Sequence, residues 1–344
     1  MSPKVFITGA TGYIGGDALY VLYKAHPNYE YSVLIRTQDK ADAVKKAYPS
    51  VRVVLGDLDN SAILEEEASR ADIVIHTADA SDHEGAAKAI AAGLVKGHSK
   101  ENPGFWLHTG GTGILTYFDS KDNFAGLGTW SEKQFNDLDG VDELTHLPDE
   151  AFHRSVDQVV LDCGIKHGDS VKTVIVCPPT IYGKGRGPVA VRSRQAYELA
   201  KLIITKGYTP IVGEGKARWN NVHVADLSDV FLLLVEKAVA KDLSSELWGE
   251  KGYMFTENGE HVWSDLARLM SKKAVELGYI EDPKEDSLSK DEALDQAGFE
   301  AVSWGLNSRG KAERARKVLG WAPHRPSIEG EAVNILKDEK ARLE

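Results

Sequence analysis

The chain has 344 residues, 42% of them apolar and 27% charged, with 52 acidic side chains against 41 basic ones and a net charge of -11. That is the profile of a folded chain with room for about two structural units, and it excludes a disordered one. No basic stripe offers a footprint for a phosphate backbone, and no apolar run approaches the roughly 20 residues of a membrane span, so neither nucleic acid nor a bilayer is an expected partner.

Ser2-Pro3-Lys4 is followed at once by the core strand Val5-Phe6-Ile7, which leaves no room for a signal or transit segment and makes the cytoplasm the expected location. Strand-like runs then alternate with helical patterns. Residues 31–35, 51–55, 72–76, 105–108 and 171–177 read as buried strands, while Ile14, Ala18, Leu22 and Ala25 mark the first helix. Such alternation predicts an α/β fold on a doubly wound parallel sheet.

The segment 116–148 is long for a connection and rich in acidic and aromatic residues, which suggests a lid or substrate wall; Trp130 and Phe135 either line a pocket or anchor the loop. Prolines and glycines from Pro178 to Pro188 then break the pattern. Helices are expected at 193–206, 226–240 (capped by its own Asp226), 263–277 and 309–319. A strand at 253–256 rejoins the first sheet, and the charged run 281–292 is the candidate disordered stretch. Cys163 and Cys177 form no metal-ligand or C-x-x-C pattern, so they read as reduced, buried thiols and no metal is expected.

Thr8-Gly9-Ala10-Thr11-Gly12-Tyr13-Ile14-Gly15 lies between a strand and a helix. A glycine turn there lets backbone approach a phosphate closely and points free N–H groups at it, so this is a dinucleotide site. At the end of the second strand stand Arg36 and Lys40, where an acidic residue would accept from a ribose 2′-hydroxyl; cations instead suit a 2′-phosphate, which favours NADP(H), with NAD(H) as the alternative. Asp57 and Leu58 after the third strand, and Thr77 and Ala78 after the fourth, lie where ligands of open sheets bind. Asp57 either accepts from adenine or caps the turn before Asn60. Residues 1–183 and 219–258 then make a dinucleotide-binding domain, with 184–218 and 259–344 a smaller, mostly helical lobe for a small-molecule substrate. A homodimer is compatible with this organisation.

These motifs together resemble the short-chain dehydrogenase/reductase superfamily, in its extended and atypical branches that include NDP-sugar epimerases and NmrA-like proteins. Thr8 to Gly15 is similar to the family's T-G-x-x-G-x-x-G loop, Asp57-Leu58 to its D-L pair, and Pro178 to Gly183 to its R-P-x-x-x-Y-G segment. Asn221 to Asp226 is similar to F-V-H-V-x-D, and Leu319 to Pro323 to L-G-W-x-P. The resemblance implies a Rossmann sheet, with Pro178 beside the cofactor.

It also implies a Y-x-x-x-K pair that this chain lacks, since Phe152 and Val156 stand at those positions, and neither can give a proton or hold a ribose. His153 is the candidate replacement acid, with Arg154 and Asp157 nearby, and Thr109 and Tyr182 are candidate hydroxyls at the same end of the sheet. The expectation is an NADP(H)-dependent oxidoreductase of a small carbonyl, imine or related metabolite with a non-standard proton donor. The alternatives are a non-catalytic NADP(H)-binding redox sensor of NmrA-like type and an NDP-sugar epimerase or dehydratase.

Overall fold

The computed structural model describes residues 2–344. Its first half alternates strand and helix: β1 (Lys4–Thr8), α1 (Tyr13–Ala25), β2 (Glu30–Ile35), α2 (Gln38–Ala47), β3 (Arg52–Leu55), α3 (Ser61–Arg70), β4 (Ile73–His76), α4 (Glu84–Gly97) and β5 (Gly104–Thr109). The segment that follows holds α5 (Tyr117–Ser120), β6 (Phe135–Asn136) and α6 (Val141–Thr145), before α7 (Arg154–Lys166) and β7 (Val171–Cys177) restore the alternation. Then come β8 (Thr180–Tyr182), α8 (Gln195–Lys206), β9 (Thr209–Val212), β10 (Arg218–His223), α9 (Val224–Val239), β11 (Tyr253–Phe255) and β12 (Glu260–Val262). The chain closes with α10 (Trp263–Glu276), β13 (Glu285–Leu288), α11 (Lys290–Ser303), β14 (Gly310–Lys311) and α12 (Ile328–Leu343).

Seven strands form one sheet in the order β11-β7-β5-β4-β1-β2-β3, every pairing parallel. Their near-continuous apolar runs are what strands covered on both faces require. Because the strands are parallel, all their carboxyl ends lie along one edge; Thr8 is level with Leu34 and His76, and His76 with His108. The strand at the end of the expected series, β11, does rejoin the sheet beside β7.

Apolar side chains gather in two clusters. The first surrounds the large sheet; the second joins α8, α10, α11 and α12 to Trp219 and Tyr182. Ala312, Ala315, Leu319 and Trp321 of the late chain pack in the first cluster. Cys163 and Cys177 are free and buried. No helix among the described residues is long and apolar enough to cross a membrane.

Three expectations are corrected, and the choice left open for Trp130 and Phe135 is decided. The charged run 281–292 is ordered: β13 pairs with β9, and Ser289 and Glu292 form a reciprocal capping box at the start of α11. Its backbone finds partners while its charges stay in water, as Glu285 does on Arg268, so composition misleads there. The helix expected over 309–319 is β14 followed by a short π-helical turn, Ala315–Leu319. Asp226 does not cap α9. The His223 ring accepts from the Ala225 N–H instead, and buried Asp226 receives the backbone N–H groups of His324 and Arg325 at 3.1 Å. Trp130 and Phe135 do not line a pocket: Arg218 stacks on Trp130 at 3.5 Å, and Phe135 is buried in the first cluster.

A buried ion pair ties the lobes together. Asp17, fully buried on α1, accepts from Arg186 Nη2 at 2.5 Å, Arg186 N at 2.7 Å and Ser228 Oγ at 2.6 Å. This pins the loop after β8 across the glycine turn, where Gly187 lies directly against Gly16 and the Ala190 N–H donates to Thr11 O. Removing one partner leaves an uncompensated charge in the interior. Arg186→Ala is expected to lower the unfolding free energy by about 3 kcal/mol in urea titrations, against about 1 kcal/mol for Ser228→Ala.

Candidate cofactor site and cleft

The turn after β1 is built by close approach. Gly9 has φ +80°, and a Cβ there would meet Thr77 Oγ1 at 2.4 Å and Ala78 N at 2.8 Å. A Cβ on Gly15 would meet the same Oγ1 at 2.3 Å and Gly9 O at 2.5 Å. The contacts leave no room for a side chain and draw the loop tight over the end of β4. Gly12 starts α1 without a side-chain cap, so the first-turn N–H groups of Tyr13, Ile14 and Gly15 face outward, unpaired within the helix and carrying its positive dipole end. That arrangement fits a pyrophosphate.

The neighbouring strand ends complete this edge. Thr8 Oγ1 accepts from the N–H groups of Thr77 and Ala78 and lies 2.6 Å from His76 Nδ1, while Thr77 Oγ1 donates to Thr8 O at 2.8 Å. Arg36 and Lys40, just past β2, reach out from the same edge, Arg36 exposed and both without a carboxylate partner among the described residues. Asp57 Oδ1 accepts from the Asp59 and Asn60 N–H groups at 3.1 Å, so the turn-capping role is realised; Leu58 packs on the first cluster.

A cleft of about 720 Å³ runs from this turn toward the second cluster, lined by Gly12, Tyr13, Ile14 and Thr77 at one end and by Trp219, Phe299 and Ser303 at the other. His153, Thr109 and Pro178 lie along it. His153 has φ +69°, a left-handed conformation rare for a residue with a side chain and typical of functional sites. Its Nδ1 sits 2.6 Å from Asp82 Oδ1 in the loop after β4. Nε2 faces the floor: a Cβ on Gly113 would come within 3.2 Å of it. Burial works to raise the Asp82 pKa, but the hydrogen bond and charge of His153 overcome it and hold this carboxyl below the ordinary range.

The other expected hydroxyls divide. Thr109 is buried at the cleft with its Oγ1 unpartnered. Tyr182 is not brought to the cleft: alternation along β8 puts Ile181 on the cleft side, and Tyr182 is buried in the second cluster, donating to Pro326 O at 2.8 Å. Phe152 lines the cleft, whereas Val156 is fully buried in the first cluster.

Comparison with known proteins agrees with this geometry. Residues 9–100 match the family model described as NAD(P)H-binding. Over its whole length the chain is 40% identical to a protein called Oxidase ucsJ from Acremonium, covering 99% of that protein. The chain belongs to the same family as this oxidase. Another relative, an uncharacterized protein of Saccharomyces cerevisiae, is 28% identical over 98% of both chains. Among solved structures, UDP-glucose 4-epimerase of Thermotoga maritima superimposes with a TM-score of 0.66 at 15% identity, over 99% of this chain and 100% of that one. A dTDP-glucose 4,6-dehydratase of Streptomyces venezuelae with NAD bound gives 0.67 at 15% identity over 98% of each chain. These two likenesses are likenesses of fold.

Sequence reasoning missed Asp82; it placed Asp157 near His153 but missed its buried hydrogen bonding behind the cleft floor. Asp157, one helical turn after His153, accepts from Tyr253 OH at 3.1 Å, and that hydroxyl lies 3.4 Å from Cys177 Sγ. The other oxygen, Asp157 Oδ1, is unpartnered and lies against Gly110, 3.4 Å from where its Cβ would be. Burial pushes the Asp157 carboxyl up to about 6, the charge of His153 opposing. Burial likewise drives His76 down to about 3 and His108 well below its usual range, so both rings are neutral. Gly15→Ala is expected to weaken NAD(P)H binding in calorimetry by at least about tenfold, because the added methyl must displace backbone. An unchanged Kd would remove this turn from the cofactor site.

Proposed function

We propose that the chain is an NADP(H)-dependent oxidoreductase acting on a small carbonyl, imine or related metabolite, with His153 as its proton-transferring group. The observation that carries this is the Asp82–His153 pair: a carboxylate at 2.6 Å from Nδ1 holds the imidazole in one orientation and tautomer, with Nε2 beside Gly111 and Gly113 of the cleft lining. An ionised Asp82 also stabilises the imidazolium that forms when His153 takes a proton.

The cofactor's holders in this reading are the glycine turn for the pyrophosphate, Arg36 and Lys40 for the 2′-phosphate, Asp57 and Leu58 on the adenine side, and Thr77, Ala78 and Pro178 toward the nicotinamide. When bound there, NADP(H) supplies or accepts the hydride. Thr109 Oγ1, buried and unpartnered, is available to orient the substrate oxygen or nitrogen. Tyr182 has no part, its hydroxyl being engaged by Pro326.

A second reading keeps the binding and drops the turnover: a protein that reports the redox state of NADP(H) to a partner. It draws on the absence of any lysine along the cleft among the described residues. It expects unequal affinities for NADP+ and NADPH and no oxidation of NADPH with any carbonyl or imine.

Steady-state NADPH oxidation across a carbonyl and imine panel separates the two. Under the first reading His153→Asn lowers kcat about 100-fold with NADPH affinity retained, and Asp82→Asn lowers it about tenfold or more. Full turnover by His153→Asn would falsify the assignment of the acid. Arg36→Asp is expected to raise the Kd of NADPH about tenfold while sparing NADH, since it sets a carboxylate against the 2′-phosphate.

A further inference from the structure

We propose that the cleft selects a neutral substrate bearing an aromatic ring, packed against the contacting pair Phe152 and Phe299, and that it rejects phosphorylated or carboxylated substrates. This rests on the oxidoreductase reading and names its substrate class. Phe152 comes from the strand-rich domain and Phe299 from α11 of the helical lobe, yet their rings meet at 5.5 Å across the cleft, tilted by 54°. They are 44% and 43% exposed and belong to neither apolar cluster. Two large aromatic faces left in water beside Ile181, Pro178, Pro179 and Trp219 are an unsatisfied apolar surface, the feature that marks a ligand groove.

The backbone presents one of these rings deliberately. Helix α11 is broken at Ala297 and Gly298, and Gly298 has φ +64° and ψ -154°, a conformation open essentially to glycine alone. Phe299 follows directly and turns into the cleft. On the opposite wall the Phe152 ring lies 3.6 Å from the His153 ring, so a substrate ring joining the aromatic pair is delivered beside the Asp82–His153 pair.

Charge supports the same class. The cations on the cleft wall are already engaged: Arg192 holds Glu339 through Nε at 2.5 Å and Nη2 at 3.1 Å and reaches Glu198 at 2.8 Å, and Arg194 pairs with Glu300. No lysine lines the cleft among the described residues, whereas Asp79, Asp82 and Glu300 do. Among the described residues, a diphosphate or carboxylate on the substrate finds no uncommitted cation there and meets the unpaired carboxylate of Asp79. An uncharged ring finds aromatic faces, where stacking is favourable beyond the burial of its area.

The test is calorimetry on the NADP+-loaded protein with acetophenone, 1-tetralone and 2-acetonaphthone as neutral aromatic probes, and with pyruvate and UDP-glucose as charged ones. The aromatic ketones are expected to bind, with Kd raised about tenfold by Phe299→Ala and by Phe152→Ala. Gly298→Ala, which keeps both rings but strains the turn, is expected to weaken binding as well. NADP+ affinity, measured on each variant, reports that the fold is intact. Tighter binding of pyruvate or UDP-glucose than of any aromatic ketone, no binding by any of the three ketones, or no effect of Phe299→Ala overturns the proposal. Aromatic binding without turnover of any substrate instead sinks the oxidoreductase reading and leaves the aromatic site standing; turnover of a charged carbonyl with no aromatic binding does the reverse.

Discussion

One hydroxyl holds together the two strand ends on which the nucleotide edge is built. Thr8 Oγ1 accepts from two successive backbone N–H groups, Thr77 and Ala78, so its single proton is directed to His76 Nδ1. Burial keeps the His76 ring neutral. The arrangement draws the end of β4 onto the end of β1, and only glycines at 9 and 15 tolerate the resulting approach. Cofactor loop and adjacent cleft wall are therefore one unit, and a change at Thr8 propagates to both.

Three buried aspartates extend the same logic across the chain. Asp17 grips the loop around Arg186, Asp226 the backbone of His324 and Arg325, and Asp137 the N–H groups of Phe255, Glu313 and Arg314. Each joins segments about 100 residues or more apart through backbone N–H groups, which pair with a carboxylate wherever the local sequence varies. Segments distant in the sequence are thus joined by directional bonds as well as by apolar packing.

Much of this was legible in the sequence and some was not, for physical reasons. The parallel sheet follows from apolar runs separated by helical spacing, and the glycine turn from its place between β1 and α1, because both signals are local. Asp82 was not legible: its partner His153 lies 71 residues away, and nothing near Asp82 marks it out from a turn aspartate. Tyr182 misled because its motif places it near the site while the pleat of β8 decides which way it points. The run 281–292 misled because solvated charges and a paired backbone coexist in an edge strand, which composition alone cannot distinguish from disorder.

Asp137 carries a consequence for how the chain is made. It sits in the segment between β6 and α6, but the groups that satisfy its carboxylate come from residues 255, 313 and 314. As synthesis proceeds, the Rossmann strands up to β7 can pair while this segment still lacks its anchors, leaving a polar carboxylate hydrated at a place that must later be dry. Long-range closures of this kind come late and slowly in folding. The strands up to β7 are therefore synthesised before the groups that anchor this segment, and a ligand that binds only their folded edge favours the folded state by mass action.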